Sequence, residues 1–162
     1  MPALKTPDGR DEVIATFGDI RRFIRADGTL SPTWETQKIV RVNLPKPLPL
    51  AGTSQKVTRV TVHKVLAPLF SETLRAIDDA GKWSKLVSYG GGFNFRPVRG
   101  GSDISLHAWG IAWDFDPEHN GLDTKGRMDK KVVEIFERHG FFWGGKFKSR
   151  KDPMHFQFAI NT

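Results

Sequence analysis

The chain contains no cysteine among its 162 residues. That excludes a disulfide framework and every thiolate metal site, so any metal must be held by histidine and carboxylate. Long hydrophobic runs are missing as well. No stretch approaches the roughly 20 apolar residues that span a bilayer, and membrane insertion is not expected. The opening MPALKTPDGRDEV has neither the basic start nor the apolar centre of a signal peptide. The expectation is a protein made in the cytoplasm, with any export by another route. Repeats and low-complexity tracts are absent too.

Negative charge is the scarcer sign: 18 Asp and Glu stand against 25 Lys and Arg, a net charge of +7. Such a surface favours polyanions, whether nucleic acid, an anionic membrane or an acidic cell wall. The basic residues are scattered apart from GGKFKSRK at 144–151, and no nucleic-acid recognition motif accompanies them, so nucleic acid is not the expected partner. With 38% hydrophobic residues, 12 Phe and 5 Trp, the chain can build a buried core. One domain over 1–162 is expected.

Within it, residues 1–55 are punctuated by Pro and Gly and read as an irregular arm, with at most a short strand at KIVRVNL; residues 60–160 read as the core. Val65, Leu66, Leu69, Leu74 and Ile77 recur at helical spacing between Val62 and Ala80, and Gly81 is a natural stop. Pro68 requires either a helix start near it or a kink. KLVSYGGGFNF reads as a strand entering a glycine-rich stretch, MDKKVVEIFERHG as a second helix, and FFWGG and MHFQFAI as closing strands. Helices and strands intermix without regular alternation. This predicts an α+β fold, a small antiparallel sheet with packed helices.

The most apolar run, SLHAWGIAWDFD at 105–116, contains a histidine and two carboxylates. Core strands avoid Asp unless the charge is paired or bound. On an alternating strand Ala112, Asp114 and Asp116 face one way and Ile111, Trp113 and Phe115 the other. Asp114 and Asp116 are then either surface residues, or one of them holds a metal with His107. Near the end, DPMHFQF repeats the pattern, with His155 and Gln157 on one strand face and Asp152 three residues before His155. His107, Asp114 and His155 would make a set of two histidines and one carboxylate with a fourth position open for water, which suits catalytic Zn2+. Asp152 is then the candidate base. A lone histidine is more often a hydrogen-bonded structural residue, and that alternative stays open for each one taken singly.

These residues carry a resemblance. SLHAWGIAWD fits Ser-x-His-x-x-Gly-x-Ala-x-Asp, and in this it resembles the VanY-type and VanX-type D-Ala-D-Ala peptidases and the phage L-alanyl-D-glutamate endolysins. DPMHF resembles the second half of that family's site, and FNFRPVRGG the segment just upstream, over roughly residues 60–160. The resemblance implies the D-Ala-D-Ala peptidase, hedgehog-like fold. It implies zinc ligands at His107, Asp114 and His155, a catalytic base at Asp152, and at Arg96 the arginine that steadies the substrate's oxyanion. Arg99 is the alternative for that arginine. Ser105 matches the motif serine, read as positioning His107 or substrate, or as a cap. Trp143 with Gly144 and Gly145 is read as walling a substrate cleft; Asp116, His63, His119 and His139 have no motif role.

The implied activity is hydrolysis of a peptidoglycan stem-peptide bond. Asp152, where many of the carboxypeptidases carry Glu, favours the L-alanyl-D-glutamate endopeptidase of phage type. So does the lack of side chains at Gly90 to Gly92 and Gly144 to Gly145, which would leave a cleft open. A D-Ala-D-Ala carboxypeptidase, with Arg96 and Arg99 holding a free carboxylate, is one alternative; a non-enzymatic wall-binding or virion protein is another. Peptidoglycan is the expected partner, a monomer the expected state, and the cell wall the expected place of action after holin-type release.

Overall fold

The computed structural model describes residues 3–96 and 103–162. The amino-terminal region is not the irregular arm expected from its Pro and Gly content. It folds into helix α1 (Gly9–Phe17), a 3-10 turn (Ile20–Phe23), helix α2 (Pro32–Lys38) and strand β1 (Ile39–Pro49). Its few apolar residues are well spaced. Val13 and Phe17, four apart on α1, are buried together. On α2, Ser31 caps the helix by accepting from Thr33 N, Pro32 occupies the first turn, and the buried Trp34 donates its indole N–H to Ala108 O at 3.0 Å.

β1 pairs antiparallel with β2 (Lys56–His63) in a long ribbon whose register slips between Asn43 and Leu48. Pro45 and Pro47 lie in that slip, where the chain has no N–H to give the ladder. Helix α3 (Ala67–Asp79) starts beside Pro68, which resolves the choice between start and kink. Phe70, Leu74 and Ile77 form its buried face.

The second sheet has four antiparallel strands in the order β3 (Tyr89–Gly91), β4 (Ala112–Phe115), β6 (His155–Gln157), β5 (Phe142–Trp143). Helix α4 (Lys130–Arg138) covers it. Its cap Asp129 accepts from Lys131 N and Val132 N, and Val132, Val133, Ile135 and Phe136 point inward. The fold is α+β with small antiparallel sheets and packed helices.

Trp113 of β4 and Phe156 of β6 are cross-strand partners on the core side. Phe70 stacks on Trp113 at 3.8 Å and Phe136 on Phe156 at 4.1 Å, so α3 and α4 clamp one face of the sheet with aromatic rings. That leaves Asp114 and His155, also directly opposite one another, on the other face. The same core runs from Val13 to Phe158, joining both sheets. Among the described residues no helix is long and apolar enough to cross a membrane.

Candidate metal centre and cleft

His107 does not sit on a strand as its apolar setting suggests. It lies on a 3-10 turn, Leu106–Trp109, with Ser105 as the cap: Ser105 Oγ accepts from His107 N at 3.3 Å. Of the two readings of Ser105, this contact is the cap. Gly110 ends the turn with φ 72°, and a Cβ there would meet His63 N at 2.9 Å. Only glycine fits both the left-handed backbone and the close approach of β2. The turn delivers His107 to the sheet face that carries Asp114.

Around Asp114 three side chains converge. One ligand atom from each of His107, Asp114 and His155 lies within 4.8 Å of the others. His107 Nε2 is 3.4 Å from Asp114 Oδ2, and His155 Nδ1 is 3.2 Å from Asp114 Oδ1. The other nitrogen of each ring is held from outside. His107 Nδ1 lies 2.8 Å from Gly92 O, an acceptor only, so the proton sits there and the Nε2 lone pair faces the cluster. His155 Nε2 lies 2.9 Å from Gln157 Oε1, and the Gln157 amide nitrogen donates to Ala159 O and Thr162 Oγ1. That leaves Gln157 Oε1 as the acceptor and His155 Nδ1 as the atom turned inward.

His107 Nε2 is buried and has no hydrogen-bond partner. A buried imidazole nitrogen left this way costs roughly 1–3 kcal/mol. A divalent cation is the group that such an inward-facing lone pair fits, and two imidazoles with one carboxylate are a zinc-type donor set. Burial alone would raise the Asp114 carboxyl, but the two histidines that face it, His107 and His155, outweigh that and hold it well below the usual carboxylate range. Burial would lower His155, and Asp114 reverses that, raising it above an ordinary histidine. Asp114 is therefore anionic throughout the physiological range, as a ligand must be.

Asp152 stands next to this group. Its Oδ2 is 4.0 Å from His155 Nδ1, and it borders the cleft. The backbone fixes it: Asp152 N donates to Gly144 O at 2.9 Å and His155 N to Asp152 O at 3.0 Å. A Cβ on Gly144 would run into the Asp152 carbonyl oxygen. One on Gly92 would run into the Tyr89 hydroxyl. These glycines serve close packing, so they do not support the open-cleft argument made from the sequence.

The metal-side face opens into a cleft of about 690 Å3. Arg96 lines it, as do Ser105, Asp152 and the three converging residues. Arg99 lies outside the described residues. Trp143 does not line the cleft: its indole N–H donates to Pro153 O at 2.7 Å and its ring packs against Gly145. The aromatic wall is Phe142 and Phe147, stacked at 5.5 Å, with Phe147 5.8 Å from the His155 ring. Asp116, at φ 47°, has left the strand; it accepts from His119 and Asn120 and shapes a turn.

Residues 99–158 match the family model described as D-alanyl-D-alanine carboxypeptidase, of the M15 peptidases. The match supports a peptidase of the VanY type, in a family whose members use zinc, and it spans the His107 turn, β4, α4, β5 and β6. Neither a curated protein nor a solved structure matches the chain.

Gln157 and Phe147 are the near-site residues that the motif alone does not assign. The shared strand face of His155 and Gln157 was the available signal for the first. Nothing local signals Arg10, 94 residues from the carbonyl of Ile104 that it meets at the cleft.

Proposed function

We propose that the protein is a zinc-dependent peptidase of peptidoglycan stem peptides, and that it cuts between L-alanine and the D-glutamate-type second residue. The observation that carries the reading is the convergence of His107, Asp114 and His155 around an unsatisfied, inward-facing nitrogen, with Asp152 alongside. Zinc held by those three side chains supplies Lewis acidity and draws the pKa of water toward ~7. Asp152 takes a proton from the attacking water on its carboxylate and returns it to the leaving amine. Arg96 brings positive charge to the carbonyl oxygen as it becomes anionic. Phe142 and Phe147 keep bulk water from the His155 side of the cleft.

Asp152, in place of the glutamate many carboxypeptidases carry, favours the endopeptidase. The description of the matched family favours release of a terminal D-alanine instead, so that reading stands second. In either reading the protein acts as a monomer on the wall, its +7 charge drawing it to an anionic polymer after a separate partner permeabilises the membrane.

Digestion of purified peptidoglycan, followed by labelling of new amino termini and mass spectrometry, tests the assignment. The expected product carries a free amino group on the D-glutamate-type residue. Release of D-alanine with the stem otherwise intact would transfer the assignment to the carboxypeptidase, and tight wall binding without cleavage by zinc-loaded protein would favour a binding module. Asp152→Asn should retain its zinc and lose about 10²- to 10⁴-fold in rate. Loss of zinc in that variant would make Asp152 a ligand.

A further inference from the structure

Helix α1 lies outside the matched segment, yet it places Arg10 on the wall of the cleft. The helix is firmly seated. Val13 and Phe17 are buried in the core, Gly9 N donates to Ile160 O at 2.8 Å, Ile160 N donates to Pro7 O at 2.9 Å, and Asn161 Nδ2 donates to Asp8 Oδ1 at 2.8 Å. Arg10 Nη1 donates to Ile104 O at 2.7 Å, which anchors the guanidinium beside the Ser105 cap of the His107 turn.

A guanidinium has five N–H donors. Among the described residues this one makes that single hydrogen bond, and its Nε is buried without one. The nearest carboxylate, Asp103 Oδ2, is 3.8 Å away on a side chain 73% exposed, against 27% for Arg10. Pairing at that distance with a solvated partner is weak. The surrounding cleft carries Arg96, Lys146, Lys148 and Arg150, and its only side-chain carboxylates among the described residues, Asp114 and Asp152, belong to the metal side. A half-buried, anchored fork of unused donors in a cationic cleft matches a planar group with two acceptor oxygens.

We propose that Arg10 is a specificity-determining residue that receives a carboxylate of the substrate, and that the substrate class is therefore a peptide bearing a free carboxylate close to the bond cut. This rests on the peptidase reading above and adds to it the group recognised and the helix that recognises it.

The test uses two matched pairs of stem peptides, one pair differing only in carboxylate against carboxamide at the D-glutamate-type residue, the other only at the C-terminus. Zinc-loaded protein is assayed for equilibrium binding and for kcat/KM. Wild type should prefer the carboxylate member of one pair by about tenfold or more in both measurements. In Arg10→Gln that ratio should fall to near one. Arg10→Lys, which keeps the charge but not the fork, should retain only part of it, and it serves as the deciding variant if Arg10→Gln fails to fold. The proposal is overturned if wild type shows no preference in either pair, or if the preference survives both substitutions. Preference in binding with no cleavage of any peptide would sink the peptidase reading and leave the role of Arg10 standing.

Discussion

His63, where the β1–β2 ribbon meets the amino-terminal helices, and His107, beside the four-stranded sheet, are almost equally buried, at 1% and 3% exposure. At His63 both ring nitrogens are bonded to backbone: Nε2 lies 2.9 Å from Phe17 O, and Nδ1 accepts from Val65 N at 3.2 Å. At His107 only Nδ1 is held so, and Nε2 faces two other metal-type ligands with no hydrogen-bond partner. The residue type and the burial are the same in the two regions, and the satisfaction of the second nitrogen is opposite. Where backbone replaces water on both sides of the ring, the histidine is a packing element. Where one side is left for something outside the polypeptide, it is a site.

The sharpest way to break that contrast is to remove each ring in turn. His107→Ala should take bound zinc from one ion per chain to none and abolish hydrolysis. It should also abolish the rise in melting temperature that zinc gives, because a ligand that binds only the folded state stabilises it. His63→Ala should lower stability by about 2–4 kcal/mol, from two lost hydrogen bonds and the cavity left behind, while retaining one zinc per folded chain. Elemental analysis and calorimetry read both. Zinc retained in His107→Ala, or lost in folded His63→Ala, would dissolve the distinction between the two regions.

A milder perturbation sharpens it. Gln157 does for His155 what Gly92 O does for His107, holding the outer ring nitrogen so that the inner one faces the cluster. Gln157→Leu keeps the approximate volume and removes the acceptor, so zinc affinity should fall about 10- to 100-fold with the fold intact. Gln157→Glu, which restores an acceptor, should recover most of it. Competition with a chromophoric chelator measures both. Equal affinity in all three proteins would mean that the strand alone orients His155.

Much of this site was legible in the sequence because its signals are local. The alternation of Trp113, Asp114 and Phe115 put Asp114 opposite the core, the Ser105-to-Asp114 spacing carried the motif, and DPMHF set Asp152 beside His155. The 3-10 turn that carries His107 was not legible, because Leu106, Ala108 and Trp109 are as apolar as any core strand and a four-residue 3-10 segment has no periodicity to show. The amino-terminal region was misread for a related reason. Its two helices are short and bury a single face each, Val13 and Phe17 or Trp34 alone, too few positions to set a period against the surrounding Pro and Gly. Trp143 and the glycines were misassigned because close packing and an open cleft call for the same residues. Arg10 was invisible, since its partner carbonyl is brought near only by the tertiary fold.

A last expected effect lies in the acid range. Burial pushes His63 down from its ordinary 6.5 to about 4, with Lys38 and Lys64 adding to the shift and the contact with Phe17 O opposing it. In the unfolded chain the same ring takes its proton near 6.5, so between about pH 6.5 and 4 the unfolded state binds more protons than the folded one. Stability from this group is therefore fully present above pH 6.5 and declines as the pH falls to about 4, by on the order of 3 kcal/mol in all. Other groups also change stability in acid, so wild type alone cannot isolate His63. His63→Gln can, because its amide is able to donate to Phe17 O and accept from Val65 N without titrating. Thermal melts of metal-free wild type and His63→Gln from pH 7.5 to 4.5 should diverge, with wild type losing more stability on acidification and the difference growing below pH 6.5. Parallel curves would mean that water reaches the ring when it protonates, and that the contrast between a saturated and an open histidine holds for hydrogen bonding but not for solvation.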